Sequence, residues 1–285
     1  TAPGRPSPSV SPSTSWRSSW ASRPDPDFPT EPTGFAADKR LFYSRTMSTP
    51  GRLAFVGSGE YLPVMQDIEA WLLEGRPRRY VQLATAAAPE GERSLQRWHD
   101  LGADAARRLD VEQVVVDVRV RADANDAAHV EQMAGAGLIY LSGGNPTHLA
   151  RTLQGTLVWA AIQEAWRQGA SLAGCSAGAM AMGGYVPDVR HPKRGGVDGL
   201  GIVPDLRVLP HFDRFSRMIP DFALKPLVTP GAVVVGIDED TALVADGPSE
   251  DGLWEFRSRG RQSCWRIDSD RRHRVNSALR LRVDA

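Results

Sequence analysis

Residues 170–178 read Ala-Ser-Leu-Ala-Gly-Cys-Ser-Ala-Gly and carry the pattern Gly-x-Ser-x-Gly at 174–178. The apolar run before this pattern predicts a strand, and the small residues after it open a helix. Glycines are needed on both sides because the strand and helix backbones nearly touch in such a turn, which lifts the serine hydroxyl above the sheet. The stretch predicts an α/β fold with Ser176 as a candidate nucleophile.

The rest of the chain extends this pattern on both sides. Short β-branched runs predict strands at 53–56, 80–83, 114–116, 138–141 and 170–175, and helical periodicity between them predicts helices at 62–73, 94–109, 147–153 and 158–167. This order favours a mostly parallel twisted sheet with helices on both faces. Ligands bind at the carboxyl ends of such strands, where the glycine-rich breaks at 57–59, 143–144 and 174–178 fall.

Composition divides the chain into a leading segment and one domain. Residues 1–46 hold 8 of the 21 prolines and many serines, so we expect a disordered segment there and interpret Met47 as the native start. We expect 47–285 to form a single catalytic domain. Short strands predicted after residue 205, at 206–209, 232–237, 241–245, 252–256 and 263–267, are interpreted as antiparallel additions at one sheet edge.

Charge and cysteine content narrow the possible partners. The 34 basic and 34 acidic residues balance, so no net field favours nucleic acid or an anionic membrane. Two cysteines are too few for a disulfide framework and lack metal-ligand spacing, which indicates a reducing compartment and a cytoplasmic protein. Hydrolysis by a serine nucleophile requires no metal or organic cofactor. No apolar run approaches the length of a membrane span. We expect a monomer or a homodimer.

The neighbouring Cys175 is the rival nucleophile, as in glutamine amidotransferases. Centring the turn on Cys175 puts alanines at the flanking positions, whereas centring it on Ser176 puts glycines there. The spacing therefore favours Ser176. A tight turn without chemistry is the remaining alternative.

A serine nucleophile needs a base, an acid and an oxyanion hole. His211 follows the predicted strand 206–209, and His191 is its main competitor. Spacing alone leaves the acid open among Asp188, Asp198, Asp205 and Asp213. The backbone amide of Ala177 follows the nucleophile directly, and the Gly143–Asn145 segment is a candidate for the second oxyanion donor.

Four segments in order resemble one known family: Leu-Ser-Gly-Gly-Asn at 141–145, Gly-Cys-Ser-Ala-Gly-Ala at 174–179, Pro-His-Phe at 210–212 and Gly-Ile-Asp-Glu-Asp-Thr-Ala at 236–242. Together they resemble the serine peptidases that include peptidase E (aspartyl dipeptidase) and cyanophycinase. The resemblance runs from about residue 51 to 245. It implies a three-layer fold like that of class I glutamine amidotransferases.

The resemblance also implies roles for individual residues. Ser176 is expected as nucleophile and His211 as base, with Asp188 as the acid because it lies ten residues before Asp198-Gly199-Leu200, which resembles a peptidase E segment. Gly144 and Ala177 are expected in the oxyanion hole. The segments around 236–241 and the arginines after Pro-His-Phe look more like cyanophycinase. The residues expected to bind substrate are Asn145, Arg214 and Arg217.

The function that the sequence favours is hydrolysis of a short peptide or isopeptide through an acyl-enzyme. An acidic residue, aspartyl or β-aspartyl, is the preferred substrate feature, since paired arginines bind carboxylates well. A glutamine amidotransferase-like enzyme and a binding protein of the same fold without activity are the alternatives. An α/β-hydrolase is disfavoured, because its fold places more βα units between serine and histidine than 35 residues allow (211 − 176).

Overall fold

The computed structural model describes residues 49–188, 195–215, 221–269 and 271–284. The α-helices in these ranges are α1 (Gln66–Leu73), α2 (Glu92–Leu109), α3 (Ala127–Glu131), α4 (Pro146–Leu153), α5 (Leu157–Arg167), α6 (Ala177–Met182) and α7 (Phe212–Phe215). The strands are β1 (Leu53–Val56), β2 (Arg79–Leu83), β3 (Glu112–Val115), β4 (Leu138–Leu141), β5 (Ser171–Cys175), β6 (Tyr185–Val186), β7 (Val197–Asp198), β8 (Leu206–Leu209), β9 (Val233–Ile237), β10 (Thr241–Ala245), β11 (Trp254–Gly260), β12 (Cys264–Ile267), β13 (Arg272–Arg274) and β14 (Leu279–Leu281).

The main sheet has eight strands within the described ranges, in the order β14-β11-β10-β1-β5-β4-β2-β3. The five strands from β1 to β3 in that order run parallel, and β10, β11 and β14 extend the β1 edge antiparallel. The predicted α/β fold class is thereby confirmed. The strand that leads to Ser176, β5, lies between β1 and β4 and is buried along its whole length.

The strands after residue 205 divide between two sheets. While β10 and β11 join the main sheet as expected, β8 and β9 pair in parallel and form a second sheet in the order β13-β12-β9-β8. The interpretation of all these strands as additions to one edge is therefore corrected. Because β8 and β9 are parallel, their carboxyl ends lie side by side at the same edge of the second sheet.

Helices cover both faces of the main sheet with apolar side chains. One core cluster contains the residues of α5 and α6 that face the sheet. It includes Trp166 and Trp254, whose ring centroids lie 5.7 Å apart. A second cluster packs α1 and α2 on the opposite face around Tyr61, Tyr80 and Tyr140. Burial on both faces explains why the central strands β1 and β4 read as continuous apolar runs.

Two further observations concern the chain as a whole. Residues 47–285 form one compact unit. Among the described helices, none combines the length and apolar character that crossing a membrane requires. The expectations for 1–46, His191 and Arg217 fall outside the described residues.

Candidate active site

Ser176 occupies the strained turn between β5 and α6. Its φ of 50° and ψ of −105° lie where side chains other than glycine rarely go, and such strain concentrates at functional sites. The Ser176 amide donates to the carbonyl of Val56, at 2.9 Å, which ties the turn to β1. A Cβ on Gly178 would lie 2.1 Å from the Leu141 carbonyl oxygen, so this position requires glycine. The turn thus holds a serine over the sheet, as its sequence predicts.

His211 meets the serine from the second sheet. It lies two residues after β8 and also has a positive φ of 50°. Its Nε2 lies 3.0 Å from Ser176 Oγ, within hydrogen-bond distance. A histidine in that position can accept the serine proton during attack on a carbonyl.

Glu239 holds the other side of the histidine ring. Its Oε1 lies 3.0 Å from His211 Nδ1, and its Oε2 lies 2.8 Å from an Arg214 guanidinium nitrogen. The Glu239 backbone amide donates to Asp213 Oδ1 at 3.0 Å. His211, Asp213 and Arg214 each contact Glu239. These three contacts orient the Glu239 carboxylate toward the imidazole.

The carboxylate at His211 Nδ1 belongs to Glu239, whereas the resemblance implies Asp188 as the triad acid. Asp188 follows β6, beyond the carboxyl end of α6, whereas Ser176 precedes the opposite end of that helix. Glu239 instead follows β9, the parallel neighbour of β8, and the pairing of Leu209 with Gly236 brings the two strand ends side by side. The segment 236–242 resembles the family in sequence, but only the strand pairing shows that its glutamate reaches the histidine.

Cys175, the rival nucleophile, lies in an environment that disfavours nucleophilic attack. Its side chain is fully buried, and its thiol donates to Glu60 Oε2 at 2.6 Å. Burial and the nearby Glu60 carboxyl raise the pKa of the Cys175 thiol well above its ordinary value. A thiol that resists ionisation is a poor nucleophile. The environment thus agrees with the spacing argument for Ser176.

The second strand end of the site, at Gly143 and Gly144, lies beside the serine. Gly144 has φ of +135°, and a Cβ there would lie 2.4 Å from the Ala86 carbonyl oxygen. The Gly143 amide donates to Glu60 Oε1 at 3.1 Å, so it is already engaged. The amides left as oxyanion candidates are those of Gly144 and Ala177, the latter at the first position of α6, where amides lack partners within the helix.

The residues expected to bind substrate have other contacts as well. Asn145 caps α4, its Oδ1 accepting from the His148 amide at 3.0 Å. Arg214 pairs with Glu239 while its side chain stays 72% exposed. The ring of His148 contacts Arg119, whose carbonyl oxygen lies 2.9 Å from His148 Nε2. Within the described ranges, no group of three or more His, Cys, Asp or Glu residues is arranged to hold a metal ion.

The chain matches a known protein family. The model of Peptidase family S51 matches residues 97–251, more than half of the chain. Curated relatives include the cyanophycinase of Nostoc sp. (strain PCC 7120), 28% identical over 65% of this chain and 63% of the relative, and that of Synechococcus elongatus, 31% identical over 61% and 55%. The match thus spans less than two thirds of these relatives' length.

Solved structures of peptidases superpose on the chain. A peptidase from an acI-B1 Actinobacterium superposes with a TM-score of 0.73 at 37% identity, covering 82% of this chain and 98% of the other. A putative peptidase E protein from Listeria monocytogenes EGD-e superposes with a TM-score of 0.54 at 17% identity, over 75% of this chain and all of the other. The second likeness concerns the fold alone.

Proposed function

Because the chain belongs to peptidase family S51, we propose that it is a serine peptidase with Ser176 as nucleophile, His211 as base and Glu239 as the orienting acid. The observation that carries this proposal is the unbroken series of contacts at 3.0 Å from Ser176 Oγ through the imidazole to Glu239. A serine, a histidine and a carboxylate in that order are the parts of a triad, which is recognised by geometry rather than by chain position.

The proposed reaction is acyl transfer to the serine and then to water. His211 takes the Ser176 proton through Nε2 as the hydroxyl oxygen attacks the amide carbon. Glu239 holds the ring with Nδ1 protonated and stabilises the imidazolium that forms. His211 then gives the proton to the leaving amine, and water releases the acyl group by the same route in reverse. The mechanism needs no metal or organic cofactor.

The oxyanion of the tetrahedral intermediate is assigned to the amides of Gly144 and Ala177. Each amide belongs to a rigid segment, one after β4 and one at the start of α6. A single preorganised donor of this kind contributes roughly 3 kcal/mol to the transition state in comparable sites. That the Gly143 amide is already bound to Glu60 supports the choice of Gly144.

The proposed substrate is a short peptide or isopeptide with an acidic, aspartyl or β-aspartyl, residue on the acyl side. Arg214 supports it, because a guanidinium has five donors and this one, 72% exposed, uses only part of its surface on Glu239. The curated relatives are named cyanophycinases, which makes cyanophycin itself a further substrate to test.

A fluorophosphonate probe tests the chemistry without knowledge of the substrate. We expect wild-type protein to be labelled at Ser176, and Ser176→Ala and His211→Ala to lose labelling. Cys175→Ala should still be labelled. Loss of labelling in Cys175→Ala with unchanged labelling in Ser176→Ala would contradict the proposal and favour a cysteine enzyme. A panel of aspartyl, glutamyl and β-aspartyl dipeptides, together with cyanophycin, then tests the substrate class.

A further inference from the structure

Glu60 is a buried carboxyl group beneath the candidate active site that the proposed reaction does not use. It follows β1, and its side chain is only 5% exposed. Buried carboxyl groups need hydrogen-bond partners to offset the loss of water. Glu60 finds two, since Oε1 accepts from the Gly143 amide at 3.1 Å and Oε2 accepts from the Cys175 thiol at 2.6 Å.

Each of these two partners directly precedes a residue with a proposed role in the reaction. Gly143 comes directly before Gly144, the assigned oxyanion donor, and Cys175 comes directly before Ser176, the assigned nucleophile. The carboxyl group thereby joins the carboxyl ends of β4 and β5. It also lies beside the nucleophile, because a Cβ built on Gly143 would be 3.0 Å from Glu60 Oε1 and 3.6 Å from Ser176 Cβ.

We propose that Glu60 is a positioning residue that holds the Gly144 amide at a fixed distance from Ser176, an inference that rests on the proposed function. Two successive glycines leave the backbone many accessible orientations, so the Gly144 amide can be placed only if the chain leading to it is restrained. The Gly143 N–H belongs to the peptide directly before the one that carries the Gly144 amide, and its bond to Glu60 supplies this restraint. The same bond keeps that amide from competing with Gly144 for the oxyanion.

The role requires an acceptor oxygen at this position, not a negative charge. Burial raises the pKa of Glu60, while the hydrogen bonds from Cys175 and Gly143 lower it. A glutamine has the same length and can place its carbonyl oxygen at Gly143 with its amide toward the sulfur. An aspartate is one methylene shorter and cannot reach both strand ends, and an alanine reaches neither.

The test measures the second-order rate constant of fluorophosphonate labelling at Ser176 in the full chain. We expect Glu60→Gln to stay within about fivefold of wild type, and Glu60→Asp and Glu60→Ala to fall by about thirtyfold or more. For any amide substrate found, the kcat of Glu60→Asp and of Glu60→Ala should fall, while their KM changes less than about threefold. Glu69→Gln is the matched control, because Glu69 is equally buried and accepts from the Tyr61 amide, not from Gly143 or Cys175. It should label at the wild-type rate.

The outcomes separate this inference from the proposed function. If wild type is not labelled at Ser176, the proposed function fails. If wild type is labelled and Glu60→Asp keeps the wild-type rate, the positioning role is wrong even where Glu60→Ala does not fold. Equal losses in Glu60→Gln and Glu60→Ala, both folded by circular dichroism, would also overturn it, because a retained acceptor would then not help.

Discussion

His211 Nδ1 lies 3.0 Å from Glu239 Oε1, and the two residues are 28 positions apart in the chain. The contact joins the ends of two parallel strands, β8 and β9. The same glutamate accepts from Arg214 and donates its backbone amide to Asp213, so both the carboxylate and its backbone are held from the His211 side. This relationship orients the imidazole and supports the proposed role of His211 as the base.

Replacing Glu239 with glutamine should impair the enzyme severely. A glutamine can present an amide N–H to His211 Nδ1, which stabilises the tautomer that cannot accept the serine proton. An amide in place of the triad carboxylate costs on the order of 10⁴ in rate in a serine protease triad. We expect the labelling rate of Glu239→Gln to fall by about 10³ or more. Asp188→Asn is the control and should keep the wild-type rate, and the reverse result would restore Asp188 as the acid.

Arg214 can be tested for two separable roles. Its pair with Glu239 is exposed on the arginine side, and such pairs contribute about 1 kcal/mol or less, which is roughly a fivefold effect. If Arg214 only orients Glu239, Arg214→Ala should lower fluorophosphonate labelling by about fivefold or less, with a larger effect at low ionic strength. If it also binds a substrate carboxylate, KM should rise for aspartyl dipeptides and stay unchanged for neutral ones. An equal change in KM for both substrates would contradict carboxylate binding.

Glu69 should make the protein less stable as the pH rises. Burial raises its pKa from 4.5 to about 7, although the Tyr61 amide and Arg108 oppose this. Between these two values the folded state binds more protons than the unfolded state, so the free energy of unfolding falls with increasing pH. The cost reaches about 3 kcal/mol above pH 7.

Urea denaturation of wild type and Glu69→Gln from pH 4 to pH 8 measures this effect. Glutamine keeps an acceptor for the Tyr61 amide but does not ionise. The variant's advantage in free energy of unfolding should be absent near pH 4, grow through about pH 7 and then level off. Parallel curves for the two proteins would show that Glu69 does not titrate as described.

Gly178 should tolerate no side chain. A Cβ there would overlap the Leu141 carbonyl oxygen at 2.1 Å, and a backbone atom cannot move aside as a side chain can. In an ordinary helix, alanine is about 1 kcal/mol more favourable than glycine, so helix propensity alone predicts that Gly178→Ala stabilises the protein. A loss of stability would therefore indicate the steric overlap. We expect Gly178→Ala to lower the free energy of unfolding by about 3 kcal/mol. Gly247→Ala, whose Cβ would meet only a Thr49 methyl at 3.7 Å, should change it little. A stability of Gly178→Ala equal to that of wild type would contradict the close approach of α6 and β4.

Much of the fold and one half of the site follow from local sequence. The nine residues 170–178 predict the strand, the strained turn and the serine, because sterics within the segment decide its geometry. His211 could be singled out because it directly follows an apolar strand. The parallel order of β1 to β5 follows from the alternation of strand and helix patterns, which requires crossover connections.

The remaining features depend on contacts between segments that are distant in the chain. Glu239 and Asp188 are both loop carboxylates in the sequence, and only the pairing of β8 with β9 places one of them at His211. Glu60 likewise lies far from Gly143 and Cys175 until β1, β4 and β5 assemble. The sequence by itself determines the proposed nucleophile, since a turn is a local structure. The tertiary structure decides which carboxylate lies at the proposed base, since strand register is a property of the assembled sheet.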